Sequence, residues 1–579
     1  MNINVNAINQ NNNYFSRLNP PKIKREYSAL QIPSTIAGTG DMGKLIPITI
    51  RDLIPGQKVK INHQTAIQFM PFVSNLFHEI ECEIYNYFVP YRLIGGTYQN
   101  GEEVLNRWEE YITGGKDGMN GEGPLYTFDV EKLSATPEDN VHTLWDYFGL
   151  QLQVPEDGRD TFNENNDVNA WPWLAYNKIY NDHIRIIDFE DAIEGRSNKV
   201  QEANWNWDYF TRARIFQQRG VTPSIPLSQA GTKPAKLFHE IQTGSWSNEY
   251  LETGWEQSKQ PYSGALVEYD GTNGRTLSRT HSSYENEEYI YNKDTMQAYE
   301  ANEEDLVDQE PKGQIRVMPH ELTTENLSNI GVNLNDFLIN LGIARFQINN
   351  SKIEPRYIDH LRYRWGVFPE DARLQRSEYL GSESFKVMTE IVTQTAPGDT
   401  TKQGHITGQA WASSQNKTIE YDVKEHGLFM AILCIRPKSV YEGGIPAWLS
   451  RRNKFDYATP ELANLPDVEI KKRELKWTAT DTDKETFGWR GIYEEYRTEY
   501  NKVVGMLRPS INAGFGSYTL ARYFEEQPEL NTNFLKCRPD KERIMQYPDE
   551  PTFMFFNRTT FRTALPLPLQ SEPAELANI

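Results

Sequence analysis

The residues from Gly38 to Leu45 come closest in this sequence to a phosphate-binding loop. They read Gly-Thr-Gly-Asp-Met-Gly-Lys-Leu, which satisfies Gly-x-Gly-x-x-Gly and all but the last position of the nucleoside-triphosphate loop pattern. Such a loop follows a strand and opens a helix whose N–H groups hold the phosphates, and a Ser or Thr then reaches Mg²⁺. Here Leu45 occupies the hydroxyl position, and Ile46, Ile48 and Ile50 continue as a strand. We therefore predict that this stretch binds no nucleotide.

Two further sets of residues could support acid–base or metal chemistry. Glu425 and His426 are adjacent, but Gly427 follows them, so we interpret the stretch as a hairpin turn. His183 shares helical spacing with Tyr176, and no second ligand is spaced to join it, which favours a hydrogen-bonded core histidine. The sequence contains no nucleophile elbow, His-Glu-x-x-His, Cys-x-x-Cys or calcium-loop motif. We predict a protein that is not an enzyme and that uses no cofactor or metal.

The composition is that of a folded, aromatic-rich, acidic protein. Apolar residues make up 38% and aromatic residues 12% of the 579 positions, which is enough for a sizeable core. The formal net charge is −20, so any nucleic acid must meet a local basic patch or a basic partner protein. One alternative stays open, a carbohydrate-binding protein or glycosidase on a β sandwich, because a catalytic carboxylate pair is recognised by its spatial separation.

The cysteines and the apolar runs indicate whether the protein forms disulfides and whether it inserts into a membrane. Cys82, Cys434 and Cys537 lie more than a hundred residues apart and are predicted to be reduced core residues. No apolar run reaches the ~18 residues that a membrane helix requires, so we expect no membrane insertion. The first residues also lack the pattern of a signal peptide.

A strand with one buried, apolar face is predicted near residue 80. Ile80, Cys82, Ile84 and Phe88 alternate with polar residues, and a period of two places them on one face of a strand. Asn86 interrupts this apolar face and needs a hydrogen-bond partner if it is buried. Two more strand patterns precede this one without helices between them, which is typical of antiparallel β structure.

A second pair of strands is predicted toward the other end of the chain. Residues 419–423 alternate apolar and polar side chains, and residues 428–435 are an unbroken apolar run. We predict a hairpin whose second strand is buried on both faces. Together these patterns predict a mainly β protein, a sandwich or barrel that carries long loop and helical insertions.

The first 44 residues are predicted to form an extended N-terminal arm. The segment is rich in Asn, Pro and Gly, and it carries a basic cluster with aromatic residues around it. Cations beside aromatic rings suit phosphates and unstacked bases, so contact with nucleic acid is one interpretation, and a solvated tail packed on a neighbour is the other. The candidate nucleic-acid-facing residues are Arg17, Lys22, Lys24 and Arg25.

Residues 228–325 differ from their surroundings and are predicted to form a large excursion from the sandwich. The segment is polar, acidic and aromatic. Exposed aromatic residues in such an insertion often contact other chains or ligands, although they could equally pack a small core within the insertion. The candidate attachment residues are Trp246, Tyr250, Trp255, Tyr269 and Tyr284.

Short sequence phrases spread along the chain occur in a fixed order. They are Leu45–Ile48, Leu53–Gly56, Tyr87–Leu93, Tyr176–Asn181, Asp208–Thr211, Arg356–Tyr357, Trp365–Val367, Asp371–Gly381, Glu425–Gly427, Phe455–Asp456, Phe487–Trp489, Glu495–Arg497 and Leu530–Asn531. Each phrase is weak alone, but together and in this order they resemble the major capsid proteins of the Microviridae, the small icosahedral single-stranded DNA bacteriophages, and most closely the gokushovirus-like branch.

The resemblance implies a fold and a function. The expected fold is a single capsid domain over residues 45–579, an antiparallel eight-stranded jelly-roll β-barrel with insertions. The expected function is self-assembly of sixty copies into a T=1 icosahedral shell around circular single-stranded DNA. The 228–325 insertion is then a variable protrusion at the three-fold axes that takes part in host attachment.

The same resemblance implies partners and a location. The partners are other copies of this chain, the packaged DNA, a small basic internal DNA-binding protein, a minor pilot protein, an assembly scaffold and a host surface receptor. The protein is expected in the virion capsid, after synthesis and assembly in the host bacterial cytoplasm.

Overall fold

The computed structural model describes the greater part of the chain. The residues described are 26–94, 96–99, 102–105, 108–113, 133–134, 136–152, 168–216, 289–291, 298–300, 357–367, 375–396, 398, 403–414, 417–463 and 467–570. The chain divides into two compact units, one formed by Met1–Ser247 with Ile353–Leu569 and the other by Asn248–Lys352 with Gln570–Ile579. The described strands and helices lie in the first unit, except for two short paired strands in the second.

Eighteen strands are present in the described ranges. They are β1 Ser28–Gly40, β2 Leu45–Leu53, β3 Lys58–Phe69, β4 Ile80–Pro90, β5 Gly96–Gln99, β6 Glu102–Leu105, β7 Tyr289–Tyr291, β8 Ala298–Glu300, β9 Glu378–Lys386, β10 Met388–Thr393, β11 Ile406–Ser413, β12 Thr418–Asp422, β13 Gly427–Pro437, β14 Val440–Tyr441, β15 Val468–Lys471, β16 Thr486–Arg490, β17 Asn501–Lys502 and β18 Phe553–Leu565.

Two antiparallel sheets dominate the first unit. A six-stranded sheet has the order β1-β18-β3-β11-β10, with β12 also paired to β3, and a four-stranded sheet has the order β2-β13-β4-β9. The first strand pairs with the last, from Ser28 opposite Leu565 to Gly40 opposite Phe553. The predicted mainly β, antiparallel class is confirmed. Among the described strands the two sheets remain separate and do not close into a barrel.

The segment Ser28–Gly40, which falls within the predicted N-terminal arm, forms the edge strand β1. Its partner β18 lies more than five hundred positions away in sequence, so this pairing has no local signal. The arm residues that precede Glu26 lie outside the described part of the chain.

The prediction of a hairpin between β12 and β13 is wrong. β12 pairs with β3 in the six-stranded sheet, whereas β13 lies between β2 and β4 in the four-stranded sheet. The physical reason is burial: β12 exposes one polar face and suits a sheet with a solvent side, while nearly every residue of β13 is buried. The predicted burial of this second strand on both faces is confirmed.

The principal core lies between the two sheets. It includes the predicted dry face of β4, where Ile80, Cys82, Ile84 and Phe88 are all buried. These side chains pack with apolar residues of β2, β3, β13 and β18. Burial of large aliphatic or aromatic side chains contributes about 1.5–3 kcal/mol each, so this layer supplies much of the stabilisation of the sandwich.

A buried polar network crosses the same core. His63 Nε2 lies 2.8 Å from Asn86 Oδ1, and His63 Nδ1 lies 3.0 Å from Thr559 Oγ1. The Thr559 hydroxyl is also 2.6 Å from that of Thr49 and accepts from Asn557 Nδ2 at 2.9 Å. Asn86 therefore has the hydrogen-bond partner that its burial requires, and the network joins the two sheets.

The second face of the four-stranded sheet is covered by helical segments. Helix Trp171–Ile179, a π-helical turn Tyr180–Ile184 and helix Leu144–Tyr147 contribute to this cluster, together with Leu428, Met430 and Cys434 of β13. The remaining α-helices are short: Tyr91–Ile94, Trp108–Thr113, Tyr357–His360, Ala513–Gly516, Thr532–Leu535 and Lys541–Ile544. A second π-helical turn spans Leu361–Trp365. Three-residue or four-residue 3₁₀ turns occur at Pro137–Asn140, Ala447–Ser450, Lys454–Asp456, Pro460–Leu462, Lys472–Glu474, Asp481–Lys484, Glu494–Tyr496 and Gly505–Leu507.

Candidate assembly surface

The glycine-rich stretch forms the end of one strand and a tight turn, and the strand predicted from Ile46 onward follows it as part of β2. Gly38 and Gly40 lie in β1. Gly43 has φ of 81°, and a Cβ added there would lie 2.0 Å from the carbonyl oxygen of Cys537. Only glycine accepts that backbone conformation and that close approach without strain. Packing therefore accounts for this glycine, and no helix N-terminus follows to hold a phosphate.

Glu425 and His426 have separate partners and do not form a proton-transfer pair. The Glu425 carboxylate is 2.6 Å from Arg92 Nε, and both side chains are nearly inaccessible. His426 Nδ1 is 2.8 Å from the hydroxyl of Tyr357, and the indole rings of Trp108 and Trp365 pack around the imidazole. Burial, with a smaller contribution from a nearby arginine, lowers the pKa of His426 to about 4. This arrangement holds a neutral histidine in a structural cluster.

His183 is a satisfied histidine, as predicted. Its Nε2 lies 2.8 Å from the carbonyl oxygen of Ser377, and its ring packs against Tyr87. Among the described residues no group of three His, Cys, Asp or Glu side chains could hold a metal ion. The three cysteines are free and buried, in agreement with the prediction. No helix in the described ranges is long and apolar enough to cross a membrane.

The candidate residues of the arm and of the insertion lie outside the described residues. These are Arg17, Lys22, Lys24 and Arg25 in the arm, and Trp246, Tyr250, Trp255, Tyr269 and Tyr284 in the insertion. Their predicted contacts with nucleic acid and with a host surface stay predictions.

A set of exposed apolar side chains between residues 447 and 515 was not found by sequence reasoning. Ten large apolar residues of this segment are at least half exposed, and we call them the apolar loop residues: Trp448, Leu449, Phe455, Tyr457, Trp477, Tyr496, Val504, Met506, Ile511 and Phe515. They sit on 3₁₀ turns, irregular backbone and, for Phe515, a four-residue helix, where neither a period of two nor a period of 3.6 marks a face. The only sequence signal is a high density of aromatic residues among charged ones.

These loops are fixed by a small core of their own. Tyr441, Ile470, Leu475, Phe487 and Phe534 are buried there with Phe210. A polar chain reinforces the core, since Tyr441 donates its hydroxyl to Asp208 at 2.7 Å and accepts from Arg522 at 3.1 Å. The Arg522 guanidinium also lies 4.1 Å from the ring centre of Phe534.

Ion pairs join the two loops that carry Tyr457 and Tyr496. The Glu495 carboxylate pairs with Arg451 at 2.9 Å and with Arg490, and all three side chains are largely buried. Burial opposes ionisation of Glu495, but the two arginines outweigh it and lower its pKa. The Arg451 guanidinium lies over the rings of both tyrosines, at 5.4 and 4.6 Å from their centres.

Exposed apolar side chains on fixed loops favour contact with another protein. Isolated apolar residues on a surface need no explanation, but a concentration of them marks an interaction surface. Large aromatic residues are enriched in such interfaces. The sandwich thus carries fixed loops whose exposed apolar residues are candidates for packing against other proteins.

Comparison with known proteins identifies the family. Residues 16–575 match the family model described as Capsid protein (F protein). Capsid protein VP1 of Bdellovibrio phage phiMH2K is 25% identical over 91% of this chain and 93% of its own length. Capsid protein VP1 of Chlamydia phage 1 is 22% identical over 92% and 93% of the two chains, and that of Spiroplasma virus 4 is 23% identical over 88% and 87%. The chain belongs to this family of Microviridae-type capsid proteins, so its role is structural and not enzymatic.

Proposed function

We propose that this chain assembles into a T=1 icosahedral shell of sixty copies that encloses a circular single-stranded DNA genome. The observation that carries the proposal is the presence of ten half-exposed apolar residues on loops fixed by a buried core and by ion pairs. The likeness to capsid proteins VP1 over about nine-tenths of the chain supports it. Burying large apolar side chains between copies contributes about 1.5–3 kcal/mol each, before the entropic cost of association.

Two facing antiparallel sheets support the jelly-roll assignment within this proposal. Double-sheet jelly rolls are the common subunit fold of icosahedral shells, and they leave long loops free to contact symmetry mates. The passage of the chain from β12 in one sheet to β13 in the other is the type of crossover that such a fold contains. We propose one capsid domain over residues 45–579 and an N-terminal arm over 1–44, of which Ser28–Gly40 pairs with that domain as the edge strand β1.

The remaining partners belong to the same proposal. The arm residues Arg17, Lys22, Lys24 and Arg25 contact the genome, and a small basic internal protein neutralises part of its charge. A minor pilot protein and an assembly scaffold take part in assembly. The 228–325 insertion projects outward at the three-fold axes and contacts a host surface receptor through its aromatic residues. Synthesis and assembly take place in the host bacterial cytoplasm.

Electron microscopy of the purified chain under assembly conditions tests the proposal. We expect closed shells for the natural sequence. The double variant Phe455→Ser, Val504→Ser should remain as unassembled subunits. Both side chains are about two-thirds exposed in the subunit, so these substitutions remove apolar contacts that form only on assembly. The matched control is Phe455→Leu with Val504→Ile, which keeps the apolar character and should assemble. Subunits alone under every condition, for the natural sequence, would refute the proposal.

A further inference from the structure

Three neighbouring strands of the six-stranded sheet are basic in an acidic protein. β1, β3 and β18 contain no Asp or Glu, although the chain has 80 such residues among 579. The same strands carry four cations: Lys58, Lys60, Arg558 and Arg562. The formal charge of −20 therefore does not describe this part of the surface.

The outward face of β18 presents an aromatic ring and two arginines in a row. Residues alternate between buried and exposed along the strand, and Phe556, Arg558 and Arg562 are exposed. Alternate residues of a strand are about 7 Å apart. The Phe556 and Arg558 positions are thus one such step apart along β18, and the Arg558 and Arg562 positions are two steps apart on the same face.

Small and polar side chains on the flanking strands leave this row uncovered. Ala37 of β1 and Ala66 of β3 lie opposite Phe556, and the Phe556 side chain is half exposed. Thr35 and Gln64 lie opposite Arg558. An open groove of about 740 Å³ runs over these residues, and Ser413 of β11 lines its far side.

The two lysines and the two arginines differ in their partners. Lys60 Nζ lies 2.6 Å from Glu420, and Lys58 Nζ lies 3.9 Å from Asp422, both carboxylates being on β12. Arg558 and Arg562 form no ion pair within the described part of the chain. Their charge is therefore available to an external anion, while that of the lysines is partly neutralised.

We propose that this face binds single-stranded DNA, with a base stacked on Phe556 and two phosphates of the strand held by Arg558 and Arg562. The hydroxyl and amide groups of Thr35, Gln64 and Ser413 complete the groove as hydrogen-bond partners for sugar and base. Cations that follow a backbone, beside aromatic rings on which bases stack, are the general means of binding a single strand without sequence preference. The inference rests on the proposed function, since the enclosed genome supplies the strand.

The stacking contact selects a single strand over a duplex. A paired base has both faces covered by its neighbours in the duplex, whereas an unpaired base offers a face to Phe556. An acidic peptide would satisfy the arginines but would make no use of the uncovered ring. These differences allow the test to separate the three ligands.

The test measures binding of a fluorescently labelled oligodeoxythymidylate to the full-length chain over a range of salt concentrations. Arg558→Gln with Arg562→Gln should weaken binding and make the slope of log K against log salt shallower by about 1.4, because each phosphate contact on a single strand contributes about 0.7. Phe556→Ala should weaken binding about tenfold or more, and Phe556→Tyr should retain it. Lys58→Gln with Lys60→Gln is the matched control, and it should change the slope less.

Several results would overturn the inference while leaving shell assembly intact. An unchanged salt slope in the double arginine variant, a duplex bound as tightly as the single strand, or a poly-glutamate peptide that displaces the oligonucleotide equally well would each do so. Electron microscopy of the same variants separates this inference from the proposed function, since the arginine and phenylalanine variants should still form shells. A double arginine variant that loses its shells but keeps its DNA affinity would make the face a protein contact and refute DNA binding there.

Discussion

Acid should destabilise the sandwich through His63, which lies in the polar network between the sheets. Burial lowers the pKa of His63 to about 4, although the hydrogen bond to Asn86 acts in the opposite direction. The histidine is therefore neutral in the folded protein at neutral pH. An unfolded chain has a histidine pKa near 6.5 and takes up the proton first, so the neutral state stabilises the fold above pH 6.5 and that stabilisation is lost as the pH falls toward 4.

The size of the effect follows from the pKa difference. A difference of one pKa unit corresponds to about 1.4 kcal/mol, so the full loss is about 3 kcal/mol, of which about 2 kcal/mol is lost by pH 5. His63→Gln removes the titration and keeps an amide that can donate and accept hydrogen bonds. We expect this variant to be less stable than the natural chain at pH 8 and to lose less stability between pH 8 and pH 5.

Urea denaturation of unassembled subunits at pH 8, 6.5 and 5 measures this difference. The control is His405→Gln, since His405 is exposed on the turn before β11. The control should follow the pH dependence of the natural chain. If His63→Gln and the natural chain lose the same free energy of unfolding between pH 8 and pH 5, then the buried network does not hold a neutral histidine and the reasoning is refuted.

Three further predictions concern packing, the buried ion pair and the thiols. Gly43→Ala should lower the free energy of unfolding by about 1–3 kcal/mol more than Gly443→Ala does. Both glycines have positive φ, but only a Cβ at Gly43 would collide with backbone. Equal losses in the two variants would contradict this. Glu425→Ala should cost more than Glu420→Ala, because the pair of Glu425 with Arg92 is buried, whereas the pair of Glu420 with Lys60 is exposed and should contribute at most about 1 kcal/mol. Both are measured by denaturant titration, and similar costs would argue against burial of the first pair. Burial raises the pKa of Cys434 to about 11 and also raises the pKa of Cys82 and Cys537. A thiol reagent should therefore label no cysteine in the folded chain and all three cysteines after denaturation. Rapid labelling without denaturant would show that the core is open.

The strands in which apolar and polar residues alternate were predictable from the sequence, because one face of each strand is buried in the core. The alternation of Ile80, Cys82 and Ile84 corresponds to the buried side of β4, and the apolar run of β13 corresponds to a strand covered on both faces. The partner of each strand was not predictable in this way. Pairing of β1 with β18, or of β12 with β3 in place of β13, depends on contacts between residues hundreds of positions apart.

The candidate surfaces were less accessible to sequence reasoning than the fold. Trp448 and Phe455 look like core residues in a one-dimensional pattern, and only the small core around Tyr441 shows that they are left outside. The basic face of β18 was equally hidden, because Thr559, Thr560 and Phe561 separate Arg558 from Arg562 in sequence. The two arginines form part of one basic face only when β1 and β3 lie on either side of β18. The role of the chain was predictable from its resemblance to a capsid family, which does not depend on these surfaces.

A density map of particles assembled from this chain tests the central claim most directly. The account predicts a closed T=1 shell in which the apolar loop residues, Phe455 and Val504 among them, are buried against neighbouring copies. A shell in which these side chains face solvent, or a purified chain that forms no closed assembly, would contradict it.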